Sequence, residues 1–592
     1  MDGGPAPQQS KLAEQPTAQD PAGPDSASSA TELVHMFLTQ AAWANARGAD
    51  RPTAVDDAAK RVRRYLSDDA AGEWQPGGGD LGLVRARLEP ATEVPGQAGA
   101  FTVHARLEPV GVLNAVGAVD PPASAAPYDF AFQVVSIGGG RLRLAKVPPG
   151  LLFNVDELST WYEPRMIYFW SDTGAQRVLV PDPRYMAKVI DVGKRPGEVF
   201  NWLSQGPSGL LKPVVQAVPA TIRLKDRLIP PGPGQPLTIN LSPEAAGPAA
   251  QQQLQDLATQ VRWSLHPSTT PVQVLVAEQR QDIDGSSPTY LRSNAAAWPE
   301  SIIEPDKFCV LDGRARAVNA SSTAGSRLLG DDDANRDVVS AAVTGFGDDA
   351  AAALVRAEPE GQRLWIASMS GTGDARSRSY RRTEVVGRAL SRPAWVARGD
   401  RRVLLPVDGR LRTVSMDGTW RPVAMVPADL GLVSAVSVAP DGRRVALIAG
   451  GQVYVASARF DGDVLTVGET YRRLGTGLTK ALGVGWTRED RLLVGGSADR
   501  GSPMVQVSVD STTHAPVERA NLASLNITQL VAYPDDPVRG GDRILAMFEA
   551  NGQAYDVYGQ GVSPVIMTGP AVGPSPSAAT PATVLRAPFF RE

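Results

Sequence analysis

The second half of the chain repeats one short pattern of apolar and polar positions. Arg402–Val414 reads RVLLPVDGRLRTV and Arg444–Ser457 reads RVALIAGGQVYVAS. The second limb returns as GQRLWIAS at Gly361–Ser368, VQVSV at Val505–Val509 and GQAYDVY at Gly552–Tyr558. An alternating apolar run, a tight glycine turn and a second alternating run predict two antiparallel strands joined by a hairpin. Recurrence of that unit at roughly forty to fifty residues predicts a β-propeller. Asp312–Val318 (DGRARAV) copies Asp408–Val414 (DGRLRTV), so a unit begins by about 305. Further innermost phrases lie at Val338–Val355, Pro393–Leu405, Ala435–Ile448, Leu482–Val494 and Ile527–Met547. Together with the partial first unit they fit a six-bladed ring, with five and seven open. The last apolar run, Thr583–Phe590, is expected to add a strand to the first blade and so remove two free sheet edges.

Upstream the periodicity changes twice. Ser28–Trp43 predicts a helix, capped by Ser29 or Thr31, with Leu33, Val34, Phe37, Leu38 and Ala41 on one face. A second helix starts at Pro52. Alternating runs at Leu83–Leu88, Phe101–Leu107, Tyr128–Val135 and Arg141–Lys146 then predict strands. Two helices followed by antiparallel strands form an α+β unit over 29–155, whose order resembles the NTF2-like cone. A second α+β unit spans 160–290. Its strands are Met166–Trp170, Arg177–Val180, Ala220–Leu224, Leu237–Leu241 and Val272–Val276, and its helices Glu198–Leu203 and Gln251–Leu265. The fold class is therefore multidomain: two α+β domains followed by an all-β propeller over 300–592. Residues 1–28, rich in Pro, Gln, Ala and Ser, read as a disordered tether.

Composition narrows the function by exclusion. The net charge is −4, and no basic run is interleaved with aromatics, so no nucleic-acid partner is expected. Arginine far outnumbers lysine, which a GC-rich coding bias would produce. No apolar stretch reaches the length of a membrane span. The single cysteine, Cys309, sits in an apolar run and reads as a buried thiol. The four histidines, His35, His104, His266 and His514, lie too far apart to suggest a metal pair. Asp331-Asp332-Asp333 lacks the spacing of a calcium loop. Asp400, Asp441 and Asp490 recur at hairpin turns, where aspartate bonds its own backbone. Gly138-Gly139-Gly140 precedes a strand rather than a helix, so it is a turn and not a phosphate loop. Nucleotide, zinc and serine-hydrolase motifs are absent from the sequence. No catalytic, metal-ligating or cofactor-binding residues are assigned, and no cofactor is expected. One cluster stands out: Trp161, Tyr162, Tyr168, Phe169 and Trp170, read as packing at the junction of the two α+β domains.

The segments IYFW at 167–170, RVLVP at 177–181, LSQGPS at 203–208, LTINLS at 237–242 and VQVLV at 272–276 resemble the GerMN domain of spore-germination and sporulation proteins. A tether, an NTF2-like domain, a GerMN domain and a propeller, in that order, resemble the actinobacterial lipoprotein LpqB family. The resemblance implies a non-enzymatic accessory lipoprotein, lipid-anchored to the outer face of the cell membrane. It also implies binding to the extracellular part of a sensor histidine kinase of the Mtr two-component system, with effects on cell envelope and division. On that reading this chain is a soluble truncation lacking the lipidated cysteine. The alternative is a cell-wall glycan or peptidoglycan binder, with or without hydrolase activity. That chemistry requires two carboxylates close together in an aromatic cleft.

Overall fold

The computed structural model describes residues 23–283, 305–567 and 584–592. Within these it omits 43–50, 78–79, 173–176, 233, 248–249, 268–269, 319–327, 331–332, 346–348, 371–376, 397–400, 428–429 and 539–542. Residues 1–22 of the expected tether therefore lie outside the described residues, as do Asp331, Asp332 and Asp400. The remainder of the tether is a correction, since Pro24–Ser26 form a short helix with Pro24 buried, Asp25 pairs with Arg143 at 2.8 Å and Ala27 packs on the first core. The chain divides into two compact units. The first comprises 1–165 with 184–195, and the second 166–183 with 196–592.

In the first unit, Ser29 caps the helix Ala30–Gln40 by accepting a hydrogen bond from Glu32 N. Leu33, Val34, Phe37 and Leu38 are buried along one stripe, at the spacing that turns every third or fourth side chain inward. They join a core shared with a sheet ordered Arg141–Lys146, Tyr128–Ile137, Ala100–Leu113, Leu81–Leu88, Leu151–Asn154. All pairs are antiparallel except the last. Phe37 meets Phe132 edge-on at 6.2 Å. Gly139 and Gly140, with φ of 80° and 76°, turn the chain between two paired strands, so the triple glycine is a hairpin turn.

The ribbon formed by Tyr162–Trp170 and Leu179–Ala187 runs through both units. In the second unit the parallel pair Leu237–Leu241 and Val272–Val276 lies beside the helix Ala250–Ser264. The expected strand at Ala220–Leu224 is a correction. Only Leu224 bridges, to Leu241, and the flanking residues are in turns. Its alternation is real, since Ile222 is buried between exposed neighbours. However, Pro219 begins a turn closed by the Ile222 N–H, which leaves the segment too short to ladder.

Residues 305–592 form six sheets among the described residues, antiparallel except where the short strand Ala424–Met425 joins Val464–Leu474 in parallel. The first is Arg586–Phe590, Lys307–Leu311, Arg314–Ala317, with the most C-terminal strand innermost. The others begin, from the inside, with Val338–Thr344, Ala394–Val396, Val433–Val438, Lys480–Arg488 and Ile527–Tyr533. These six inner strands neighbour one another in a closed circuit, Arg586–Phe590 lying between Ile527–Tyr533 and Val338–Thr344. The repeated glycine turns are two-residue hairpins with positive φ at both positions. Asp312-Gly313 has φ of 48° and 70°, Asp408-Gly409 48° and 81°, Gly450-Gly451 56° and 76°, and Asn551-Gly552 52° and 75°. That geometry matches strand twist and selects Asp-Gly, Asn-Gly and Gly-Gly. Two tryptophans pin successive sheets. Trp395 Nε1 donates to Ala342 O, and Trp486 Nε1 to Ser437 O, each at 3.2 Å and each reaching the preceding inner strand. Cys309 is buried, and burial pushes its thiol up to about 12, so it is an inert part of the core.

Candidate functional site

The circuit of inner strands encloses a cavity of about 280 Å³. Its walls come from five sheets and combine Val339, Leu390, Val436, Leu482 and Leu530 with hydroxyls and amides. Several of the polar groups are committed within the ring. Gln362 Oε1 accepts from Leu390 N at 2.7 Å, and Arg392 Nη1 meets Glu592 Oε1 at 2.8 Å. Glu592 Oε2 also accepts from Trp395 N, so the arginine is neutralised within the ring. Ser340 is the exception: it is 7% exposed, and its hydroxyl has no partner among the described residues. None of the lining residues is acidic or aromatic. A polar recess of this size, with a spare hydroxyl, suits ordered water. It lacks the carboxylate pair that glycoside hydrolysis needs.

A second polar arrangement lies where the GerMN-like segment meets the ring. Tyr168, buried on its strand, packs edge-on against Trp263 at 5.3 Å and donates its hydroxyl to Glu489 Oε2 at 2.6 Å. Glu489 sits in the turn between Lys480–Arg488 and Arg491–Ser497 and is 4% exposed. Burial pushes its carboxyl up to about 7, against the opposing pull of the Tyr168 hydroxyl. The Tyr168 phenol is pushed well above its usual value by burial and by the neighbouring Glu489. Beside it, Asp441 accepts from the N–H groups of Arg443 and Arg444 at 2.7 and 3.1 Å and pairs with the Arg444 guanidinium. Arg444 in turn lies over the Trp486 ring at 5.0 Å. Thr470 Oγ1 adds a further link across the seam by donating to Leu210 O at 2.8 Å.

The residues singled out from sequence fall in different settings. Trp161 packs on the first core, and Tyr162 is buried in it, 6.5 Å from Phe153. Tyr168, Phe169 and Trp170 belong to the second unit. There Trp170 Nε1 donates to Asp256 O, and Arg177 lies over the ring at 4.9 Å. Asp441 uses its carboxylate on its own turn. Asp490 faces Arg488 and Arg491, each at 3.7 Å, and burial raises its carboxyl. Sequence reasoning passed over Glu489, whose partner is 321 residues away. Among the described residues there is no group of His, Cys, Asp and Glu able to hold a metal ion.

The structure thus defines a modular protein in which two α+β domains precede a ring of antiparallel sheets. Comparison with known proteins gives the particular kind. Residues 23–159 match the family model for the lipoprotein LpqB N-terminal domain, 166–282 the sporulation and spore germination domain, and 318–545 the lipoprotein LpqB β-propeller domain. Lipoprotein LpqB of Mycolicibacterium smegmatis is 25% identical over 538 residues, covering 86% of this chain and 87% of the relative. That of Mycobacterium tuberculosis is 24% identical over 538 residues, covering 83% and 84%. That of Rhodococcus opacus is 23% identical over 489 residues, covering 78% of each. In all three of its domains the chain resembles the LpqB lipoproteins of actinobacteria. No helix among the described residues is long and apolar enough to cross a membrane.

Proposed function

We propose that this protein is a non-catalytic, extracytoplasmic accessory lipoprotein that binds the extracellular domain of a sensor histidine kinase. In this reading the partner is the sensor of the Mtr two-component system, and binding adjusts signalling linked to the cell envelope and division. A lipid at the native N-terminus holds the protein on the outer face of the cell membrane. The observation that carries the proposal is the three-domain match to proteins named lipoprotein LpqB over more than four-fifths of the chain. A ring whose inner strands close on themselves supports it, because such a scaffold holds many loops rigidly for a partner.

The test is direct binding of the full chain to the immobilised extracellular domain of the sensor, with an unrelated sensor domain as control. Saturable, sensor-specific retention is expected. Equal retention on both surfaces, or on neither, would sink the proposal.

A further inference from the structure

Positive charge on this acidic chain is concentrated in one stretch. Between 377 and 421 stand eleven arginines and four carboxylates. Some of the arginines are consumed by the fold: Arg382 pairs with Glu358 and Glu360, Arg392 with Glu592, Arg401 with Asp349, and Arg402 with Asp463. Four are not. Among the described residues no carboxylate lies within ion-pair distance of Arg381, Arg388, Arg410 or Arg412.

The four lie along one seam of the ring, Arg381 beside the end of the strand Arg410–Ser415 and Arg388 beside its start. Arg381 is on the outer strand Ser377–Gly387 of the second sheet, and Arg410 and Arg412 are on Arg410–Ser415 of the third. A Cβ at Gly418 would sit 3.0 Å from Arg381 Cδ, so the hairpin after Arg410–Ser415 touches the second sheet at that point. Asp408 accepts from the N–H groups of Arg388 and Ala389, drawing Arg388 to the same seam. Trp420, on the edge strand Trp420–Pro422, is 38% exposed and carries the Arg412 guanidinium at 4.2 Å. Of the acids nearby, Asp408 is held down in part by Arg388 and Arg412 and Asp417 in part by Arg381, Asp463 serves Arg402 and Arg421, and Glu384 is exposed; the four arginines still outnumber the two carboxylates they act on.

An exposed tryptophan under an arginine, with three further arginines along the same seam, has the composition of a protein-binding hot spot. Arginine forks match carboxylates two bonds at a time, and a stacked guanidinium is held ready to do so. We propose that this edge of the second and third sheets is the docking surface for an acidic polypeptide face of the partner. The inference rests on the protein-recruiting role proposed above and adds to it the surface and its sign.

The test uses the full chain and three variants. One reverses the patch (Arg381→Glu with Arg410→Glu and Arg412→Glu), and a second is Trp420→Ala. The third makes the same charge change elsewhere, at exposed Arg64, Arg87 and Arg141. Binding to labelled poly-L-glutamate, to the sensor's extracellular domain and to phosphatidylglycerol vesicles is compared at low and high salt. The expected result is polyglutamate binding that falls with salt and drops at least about tenfold in the patch reversal, with a smaller loss in Trp420→Ala. The control triple variant keeps most of the binding. Equal loss in the control, no binding of polyglutamate by the natural chain, or patch-dependent retention by vesicles alone each overturns the assignment. If the sensor domain fails to bind while polyglutamate binding stays patch-dependent, the surface stands and the partner named above is wrong. If the sensor binds and the patch reversal leaves its affinity unchanged, the role stands and the surface is wrong.

Discussion

Glu358 and Glu489 both sit at hairpins of the ring, and both are largely withdrawn from water, yet their surroundings push them in opposite directions. Glu358 ends the strand Ala351–Glu358. It accepts from Arg363 Nε, Arg382 Nη2 and Trp365 Nε1 at 2.8, 2.7 and 2.8 Å. Burial alone would raise its carboxyl, but these donors outweigh it and hold the group down at about 2. Glu489 receives one neutral donor, the Tyr168 hydroxyl, and is raised to about 7. The first glutamate is a local device, charged at neutral pH and satisfied within its own sheet. The second is a junction between domains and titrates where the first does not. Position in a repeat therefore fixes where a turn acid is placed, and only the contacts made from outside the repeat fix what it does.

The strongest way to break the comparison is to strip the seam of its buried cation. Arg444 and Asp441 have side chains 1% and 0% exposed and are bound to each other. Removing one member of a buried ion pair leaves an uncompensated charge, a loss of about 3–5 kcal/mol. Arg444→Met is expected to fall in that range by urea unfolding. A loss under about 1 kcal/mol would mean that water reaches Asp441 and that the seam is not closed.

Local contacts of this kind were largely legible in the sequence, because the residues that make them are close together. Asp441 meets Arg443 and Arg444 two and three positions on, and the Asp-Gly hairpins need only their own two residues to bend. Tyr168 is different. On sequence it belongs to an apolar strand among aromatics, and nothing nearby says that its hydroxyl reaches a turn 321 positions downstream. The basic edge was hidden for the same reason. Its arginines are spread over two sheets, and coding bias accounts for arginine-rich composition until the ring sets Arg381 beside the Asp417-Gly418 turn. Ala220–Leu224 shows the reverse failure: alternation announced a strand, but a closed turn left it a single bridge.

The next prediction concerns pH. An acid whose folded value is raised binds more protons when folded than when unfolded across the interval between the two values. For Glu489 that interval runs from 4.5 to about 7, so its contribution to stability falls as pH rises through it. Glu358 has the opposite sign. Its contribution is complete above 4.5 and is lost as pH falls through about 2. Glu489→Gln keeps an acceptor for Tyr168 and cannot ionise. It is expected to match the natural chain at pH 5 and to exceed it by roughly 2–3 kcal/mol at pH 8. Denaturant midpoints measured across this range check it, and a difference that does not change with pH would show that Glu489 is not the group responsible.

The smallest effect isolates the link between the domains. Tyr168→Phe removes the hydroxyl and leaves a buried carboxyl without its donor, a cost of about 1–3 kcal/mol. Glu489→Leu leaves the Tyr168 hydroxyl without its acceptor, at a similar cost. In the double variant neither group is orphaned, and two apolar surfaces meet. Its stability is expected to lie within about 1 kcal/mol of the natural chain, well above the sum of the single losses. That coupling is the signature of a direct bond between the GerMN-like segment and the ring. Additive losses in the cycle would mean that the two side chains act independently, and the seam would then rest on its other contacts, such as Val538 against the Trp263 cluster and the Thr470 to Leu210 link.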